Sequence, residues 1–313
     1  MGRRRRKGDP VSGWVIVDKP AGPTSTQVVG IVRRAFNAQK AGHAGTLDPL
    51  AEGILPIALG EATKTIPFVM DGEKVYRFTV KWGEATATDD AEGDIVATSP
   101  HRPDESAIKE ALKGFLGDIS QVPPQFSAIK VAGERAYDLA RDGEKVALKA
   151  RTVTIYEADL VEIPDTDHAV FEIVCSKGTY VRALARDLGE ALGTRGHVTA
   201  LRRLATGPFD EESSILLDKI KEFGNSAPAC PTLWAHLLPL ETALDDIPVV
   251  AVSDKDAARL KQGQAILLRG RDAPVIEGLA LTMANGTPVA LAEYDRGELK
   301  PVRVFNMSGE GGV

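Results

Sequence analysis

Residues 42–60 read GHAGTLDPLAEGILPIALG. One carboxylate, Asp48, stands between a turn of small residues and Pro49, and a mostly apolar run with a single further acid, Glu52, follows it. Pro49 biases Asp48 away from helical geometry, and Gly42 and Gly45 flank His43 just upstream. A carboxylate held this tightly suits a nucleophile or an acid–base group. An aspartate before a proline also serves simply to support a turn. Residues 51–59 fit either a short strand or a helical turn around Pro56, and the pattern does not decide between them.

On the N-terminal side, GWVIVDKPAG predicts a strand over Trp14–Val17, stopped by a turn over Asp18–Gly22. Residues 24–36 predict a helix: Thr24 or Ser25 can cap it, and Val28, Val29, Val32 and Phe36 recur at helical spacing. On the C-terminal side, residues 73–83 alternate, with Tyr76, Phe78, Val80 and Trp82 on one face and Val75, Arg77, Thr79 and Lys81 on the other. That is a strand. A polar loop over 86–94 and a helix over 104–116, started by Asp104 and Glu105, follow. Pro123 and Pro124 break residues 118–131. Residues 133–143 read as helical, 152–163 and 169–176 as strands. The stretch KGTYVRALARDLGEAL from Lys177 then enters a helix, with Leu184, Leu188 and Leu192 four apart. Residues 222–232 read as a loop and 233–244 as helical. Near 245–249 the pattern changes: apolar runs at 249–252, 265–268, 276–283 and 288–294 alternate with glycine turns, predicting a small β-rich unit over 246–313. The class is α+β on a mixed, largely antiparallel sheet, without the βαβ rhythm of a doubly wound fold.

With 313 residues, 43% of them hydrophobic, the chain has material for a real core. Its formal charge of −6 argues on average against a nucleic-acid partner. Local patches decide that question rather than the sum. Residues 3–7 are RRRRK, within a basic arm over 1–12 expected to be flexible. Arg33, Arg34 and Lys40 precede the Asp48 segment, and Arg195, His197, Arg202 and Arg203 form another cluster. Two cysteines show neither a disulfide framework nor zinc spacing. The basic N-terminus lacks an apolar signal core, and no run has membrane-spanning length, so a cytoplasmic protein is expected. No dinucleotide fingerprint or Walker A pattern occurs; neither a cofactor nor a metal is expected.

Other residues could join Asp48. The rings of Tyr76 and Tyr180 could stack on an extruded base, and their hydroxyls could move protons; each also reads as an ordinary sheet tyrosine. Arg182 follows Tyr180 by two, so both share a face if the strand persists that far. An arginine beside Asp48 would lock it in the ionised form by a bidentate bond. The alternative is a solvated arginine at a helix start. Lys19, Lys64, Lys130 and Lys177 lie in or beside loops, where they could meet phosphates or simply be solvated.

GHAGTLDPLAEGILPIALGEATK closely resembles the signature segment of the TruB family of tRNA pseudouridine synthases. DKPAGPTST, EKVYRFTVKWGEATATDDAEGD, VPPQFSAIKVAGERAYDLAR, CSKGTYVRALARDLGEALG and GHVTALRRLATGPF resemble the family's further motifs in the family's order, over about residues 10–245. The resemblance implies the pseudouridine-synthase fold over 13–245, with a thumb-like RNA-binding insertion near 124–150 and a PUA-like unit over 246–313. It implies isomerisation of the T-loop uridine of tRNA, position 55 in tRNA numbering. By it, Asp48 is the catalytic aspartate, Tyr76 the aromatic that stacks on the base, and Arg182 the partner of the aspartate. His43 would fill space beside the flipped nucleotide. Lys19 would lie near the active site, Leu201 would wall the uracil pocket, and Asp90 would contact RNA-binding groups. Tyr180, Lys64, Lys130 and Arg202 complete the expected substrate contacts. The expected partner is the T-arm and acceptor stem of tRNA, met by a monomer without an obligate protein partner. Two other readings stand beside this one. One is a module whose main task is to bind and refold tRNA. The other is the catalytic subunit of an RNA-guided complex, whose relatives share the aspartate segment.

Overall fold

The computed structural model describes residues 8–127, 130–131, 134–135, 148–226, 230–268 and 276–307. The apolar GWVIVDK run forms β1 (Gly13–Lys19), and helix α1 (Ser25–Ala35) follows. Thr24 rather than Ser25 caps α1: its side chain accepts from the Gln27 amide while Gln27 answers on the Thr24 amide, a capping box. After β2 (Ala41–His43) the chain loops through Asp48 into β3 (Glu52–Leu59), so the apolar run around Pro56 is a strand. β3 lies antiparallel to β1, from Trp14 opposite Ala58 to Lys19 opposite Gly53. The Pro56 carbonyl accepts from Ala44 just past the end of β2. A residue's N–H and C=O point to the same side of a strand, so the missing N–H of Pro56 faces the departing loop and no ladder bond is lost.

A short 3-10 turn and α2 (Ile66–Asp71) lead to β4 (Lys74–Trp82), whose Phe78, Val80 and Trp82 face is buried as the alternation requires. A small hairpin, β5 (Glu84–Thr86) with β6 (Ile95–Thr98), precedes α3 (Glu105–Lys113), capped by Asp104. Then come β7 (Gly117–Gln121) and a two-residue pair, β8 (Lys130–Val131) with β9 (Glu134–Arg135). Part of the stretch expected to be helical from 133 is therefore extended; the rest, 133 and 136–143, lies outside the described residues. β10 (Arg151–Asp165) and β11 (His168–Cys175) pair antiparallel, followed by α4 (Val181–Ala191) and β12 (Gly196–Thr206). β13 (Ile215–Leu216) runs directly into α5 (Leu217–Ser226), so helix occupies 222–226 where a loop was expected. The region expected to be helical over 233–244 divides into α6 (Pro231–Trp234) and a 3-10 turn at Leu240–Leu244.

These strands build one sheet in the order β13-β1-β3-β12-β4-β11-β10-β7, with β2 on β3. Pairing is antiparallel except β1 with β13 and β3 with β12. β12 lies at the centre, beside both β3 and β4. One apolar cluster packs α1 and α5 on the β1–β3 side, and another packs α3 and α4 on the β4–β11 side; Tyr76 and Leu201 touch both. The site lies along this seam. Residues 8–12, expected within a flexible arm, are partly fastened: Asp9 pairs with Asn37, and Val11 is buried. Residues 1–7 lie outside the described residues.

A second sheet has order β14-β16-β17-β18-β15, from β14 (Val249–Ala251), β15 (Ile266–Leu267), β16 (Gly278–Ala284), β17 (Thr287–Asp295) and β18 (Glu298–Val304). Helix α7 (Asp254–Lys261) covers it. Leu281 and Leu291 from this sheet, with Phe305 just after β18, share an apolar cluster with Trp14 and Ile54 of the first and Phe209 just after β12. Among the described residues, no helix is long and apolar enough to cross a membrane.

Candidate active site

Asp48 sits on a loop braced from several sides. Ser25, released from capping by Thr24, accepts from the Leu47 amide and donates to the Leu47 carbonyl, both at 2.9 Å. The buried Lys19 ammonium donates to the carbonyls of Pro20, Pro49 and Ala51 at 2.9, 3.3 and 2.6 Å. Gly22 donates to Pro49, and Ala51 to the Asp48 carbonyl. Gly45 adopts φ +93°, a left-handed conformation that favours glycine. Its carbonyl accepts from Arg203 at 3.2 Å. With the backbone tied at 45, 47, 49 and 51, the Asp48 side chain is left to project into a cavity.

The Arg182 guanidinium meets it there. Arg182 Nη2 lies 2.8 Å from Asp48 Oδ2, and Nη1 lies 3.2 Å from Asp90 Oδ2. The same fork donates to the carbonyls of Thr88 at 3.0 Å and Phe126 at 2.9 Å. The Arg182 and Asp90 side chains are 7% and 3% exposed, whereas Asp48 is 40% exposed. One carboxylate is therefore structural ballast for the arginine, and the other is presented to solvent in the cavity. Arg182 does not extend a strand that includes Tyr180. Tyr180 is the N-cap of α4, and Arg182 lies in that helix's first turn. A cation is mildly disfavoured by the helix dipole there, and the two carboxylates offset this.

The cavity holds about 520 Å³, and its lining includes Asp48, Tyr76, Tyr180, Arg182, Leu201 and Arg203 together with the cations Lys74, Arg151 and Lys177. Burial pushes the Tyr76 phenol above its ordinary value, while the charge and hydrogen bond of Arg203 pull it back. The Arg151 guanidinium lies 5.4 Å from the centre of the Tyr180 ring, a cation–π distance. Burial draws the Lys74 ammonium down to about 8, with Arg203 adding to the effect.

Arg203, only 1% exposed, was expected in a basic RNA-facing cluster. Instead it is an internal anchor. It lies opposite Tyr76 in the β12–β4 register and opposite Gly53 in the β12–β3 register, and donates to Ile54 O at 2.7 Å. Its neighbour Arg202 points the other way, as strand alternation requires. There it forms a bidentate pair with Asp18 and a second pair with Glu211. His197 is also buried, bonded to the Glu84 carbonyl.

Several expected substrate contacts thus have other work. Lys19 is spent on loop carbonyls; burial lowers its ammonium to about 8, opposed by Glu52, Asp48 and Glu92. Asp90 is enclosed beside Arg182 and offers RNA no surface. Arg202 is held by carboxylates. Lys64 bonds Glu61 and the Val304 carbonyl, fastening the second sheet to the first. His43 is half-buried outside the cavity lining, with Nδ1 unpartnered; burial lowers its imidazole, and Arg203 contributes. Lys130 is in β8, and its side chain lies outside the described residues. Asp48, Tyr76, Tyr180, Arg182 and Leu201 do come together.

A buried arginine presenting one aspartate to a cavity, with a tyrosine on its wall, is this site's arrangement. The family model "TruB family pseudouridylate synthase (N terminal domain)" matches residues 33–181, and "tRNA pseudouridylate synthase B C-terminal domain" matches residues 182–245. The chain belongs to the TruB family. A Rhodopseudomonas palustris protein named tRNA pseudouridine synthase B is 59% identical over 98% of this chain and 84% of its own length. A Caulobacter vibrioides protein of the same name is 53% identical over 97% and 99%. Among solved structures, a Cbf5-Nop10-Gar1 complex contains a chain 28% identical, with TM-score 0.71 over 94% of this chain and 84% of that one. An H/ACA RNP bound to a substrate RNA containing 2'-deoxyuridine contains a chain 25% identical, with TM-score 0.72 over 97% and 91%. The boundary between the two TruB models falls inside α4, yet β12 from the second is a central strand of the sheet built by the first. The two segments cannot complete this site separately.

Proposed function

We propose that this chain converts the T-loop uridine of tRNA, position 55 in tRNA numbering, to pseudouridine, with Asp48 as the nucleophile. The observation that carries the proposal is the Asp48–Arg182–Asp90 constellation in a chain whose curated relatives are named tRNA pseudouridine synthase B.

The reaction breaks the N1–C1′ bond and forms a C5–C1′ bond on the same uracil. C5 loses a proton and N1 ends up carrying one, so no redox partner or external energy source is required. A stacked base is out of reach, and flipping it costs roughly a few kcal/mol. Stacking on an aromatic ring returns about 1–3 kcal/mol. Tyr76 supplies such a surface, and Leu201 the apolar wall. Asp48 attacks either C1′ of the ribose or C6 of the ring; both routes need the same presented carboxylate. Arg182, fixed by Asp90 and two backbone carbonyls, orients it. Substrate contact would fall to the cavity-side cations Lys177, whose exposed pair with Asp71 at 2.8 Å leaves it open to solvent, and Arg151, and RNA binding would weaken as salt rises.

The chain would act as a monomer in the cytoplasm on the T-arm and acceptor stem, without a guide. The similarity to chains in the Cbf5 and H/ACA complexes motivates a guided alternative; activity on a guide-free T-arm separates the two. A tRNA-refolding role is compatible with either, because extruding a loop base opens the loop. The test is pseudouridine mapping on bulk tRNA from cells lacking this protein. Loss confined to the T-loop uridine is expected. Persistence there, or loss only elsewhere, would overturn the assignment.

A further inference from the structure

Helix α4 carries a second arginine one turn after Arg182. Residues four apart share a helix face, and Arg186 projects beside Arg182 without lining the cavity. All of its donor nitrogens are engaged. Nη1 bonds Asp89 Oδ2 at 2.9 Å, Nη2 bonds the Val122 carbonyl at 2.8 Å, and Nε and Nη2 reach Asp187.

The partners of the two arginines interleave. Arg182 holds the Thr88 carbonyl and the Asp90 side chain; Arg186 holds the residue between them, Asp89. Arg182 holds the Phe126 carbonyl, and Arg186 holds Val122, four residues earlier on the same segment. Asp89 sits at φ +59°, a left-handed conformation that an aspartate tolerates better than most residues. Its carbonyl also accepts from Val198 of the central strand β12. The 88–90 turn is thus strained and pinned at its middle, and every contact that aims Arg182, other than Asp48 itself, lies on a segment that Arg186 fastens.

We propose that Arg186, through Asp89 and Val122, is a positioning residue for the reaction: it fixes the turn and the segment that aim Arg182 at Asp48. This rests on the pseudouridine synthase reading above. Arg186 touches neither Asp48 nor the cavity, so its loss should slow the chemical step and leave RNA binding intact. A misplacement of about 1 Å at a reacting group can cost on the order of a hundredfold in rate.

The test is single-turnover pseudouridine formation on an unmodified T-arm transcript, with the rate constant at saturating enzyme and the half-saturating concentration measured separately. Arg186→Gln should lower the rate constant by about tenfold to a hundredfold and leave half-saturation within about twofold of wild type. Arg186→Lys, which keeps the charge but not the fork, should recover part of the rate. Asp89→Asn keeps a residue suited to the left-handed turn and removes the partner charge. It should show the same split, carries the test if Arg186→Gln does not fold, and combined with it should cost no more than either alone. Wild-type rate constants in folded Arg186→Gln or Asp89→Asn would overturn the proposal. So would a raised half-saturation with an unchanged rate, which would place Arg186 in RNA docking. Wild-type protein that makes no pseudouridine would take down the underlying activity as well; active wild type with unaffected variants refutes the Arg186 role alone.

Discussion

The two carboxylates on Arg182 should separate function from stability. Asp48 Oδ2 and Asp90 Oδ2 lie 2.8 and 3.2 Å from the guanidinium, but their side chains are 40% and 3% exposed. A pair with one well-solvated member is screened and contributes about 0–1 kcal/mol. Asp48→Asn should therefore shift unfolding by no more than about 1 kcal/mol while abolishing product. Removing one partner of a buried pair costs about 3–5 kcal/mol, because the other charge stays buried. Asp90→Asn leaves the enclosed Arg182 facing only a half-exposed counter-charge. The substituted side chain can still accept from Glu92 N at its retained oxygen, now 3.0 Å away, so the lower end, about 3 kcal/mol, is expected. Urea unfolding followed by circular dichroism gives the stabilities, and pseudouridine formation on a T-arm transcript gives the activities. Asp48→Asn destabilised as much as Asp90→Asn, or Asp48→Asn with near-normal turnover, would refute the division of labour at Arg182.

Three further outcomes follow from the same geometry. Lys19→Met removes three carbonyl bonds around the Asp48 loop and should lower the single-turnover rate by about tenfold or more; an unchanged rate would show that the bracing is dispensable. The ammonium groups of Lys19 and Lys74 sit at about 8, below their ordinary 10.5. Between those values the unfolded chain binds more protons than the folded one, so these two sites make stability rise with pH across that window. Lys74→Met should therefore show a smaller rise between about pH 8 and 9.5 than wild type in urea unfolding, and identical slopes would contradict the assignment. Lys64→Met cuts the tie to Val304 and should weaken RNA binding by about 1 kcal/mol with the rate constant at saturation unchanged; a filter-binding titration with wild-type affinity would show that the second sheet needs no such clasp.

The elements with strong local patterns were legible in the sequence. The alternation of Tyr76, Phe78, Val80 and Trp82 marks β4, and the spacing of Val28, Val29, Val32 and Phe36 marks α1, whereas the choice of Thr24 over Ser25 as its cap shows only in the structure. Proline in an apolar run left β3 undecided, because what makes Pro56 tolerable is the local end of the neighbouring strand, a tertiary fact. The pairing of Arg182 with Asp48 was expected, though from a strand rather than from the helix turn that supplies it. Arg203 was missed because β12 has no clean alternation: its register slips between Val198 and Ala200 and again between Arg203 and Ala205. Had the strand been recognised, two adjacent arginines would have had to face opposite sides, and one would have entered the interior. Lys19, Lys64 and Arg202 looked like substrate contacts because their partners are distant in sequence: Pro49, Val304 and Asp18. A sequence displays a cation but not the acceptors that the fold brings to it.

The central claim is that Asp48, aimed by Arg182, isomerises one uridine of tRNA without a guide. Its most direct test is an unmodified full-length tRNA transcript incubated with the purified chain alone and mapped for pseudouridine at single-nucleotide resolution. Wild type should yield one pseudouridine per tRNA, at the T-loop uridine, and folded Asp48→Asn should yield none. Modification at other positions, dependence on an added guide RNA, or product from Asp48→Asn would contradict the claim.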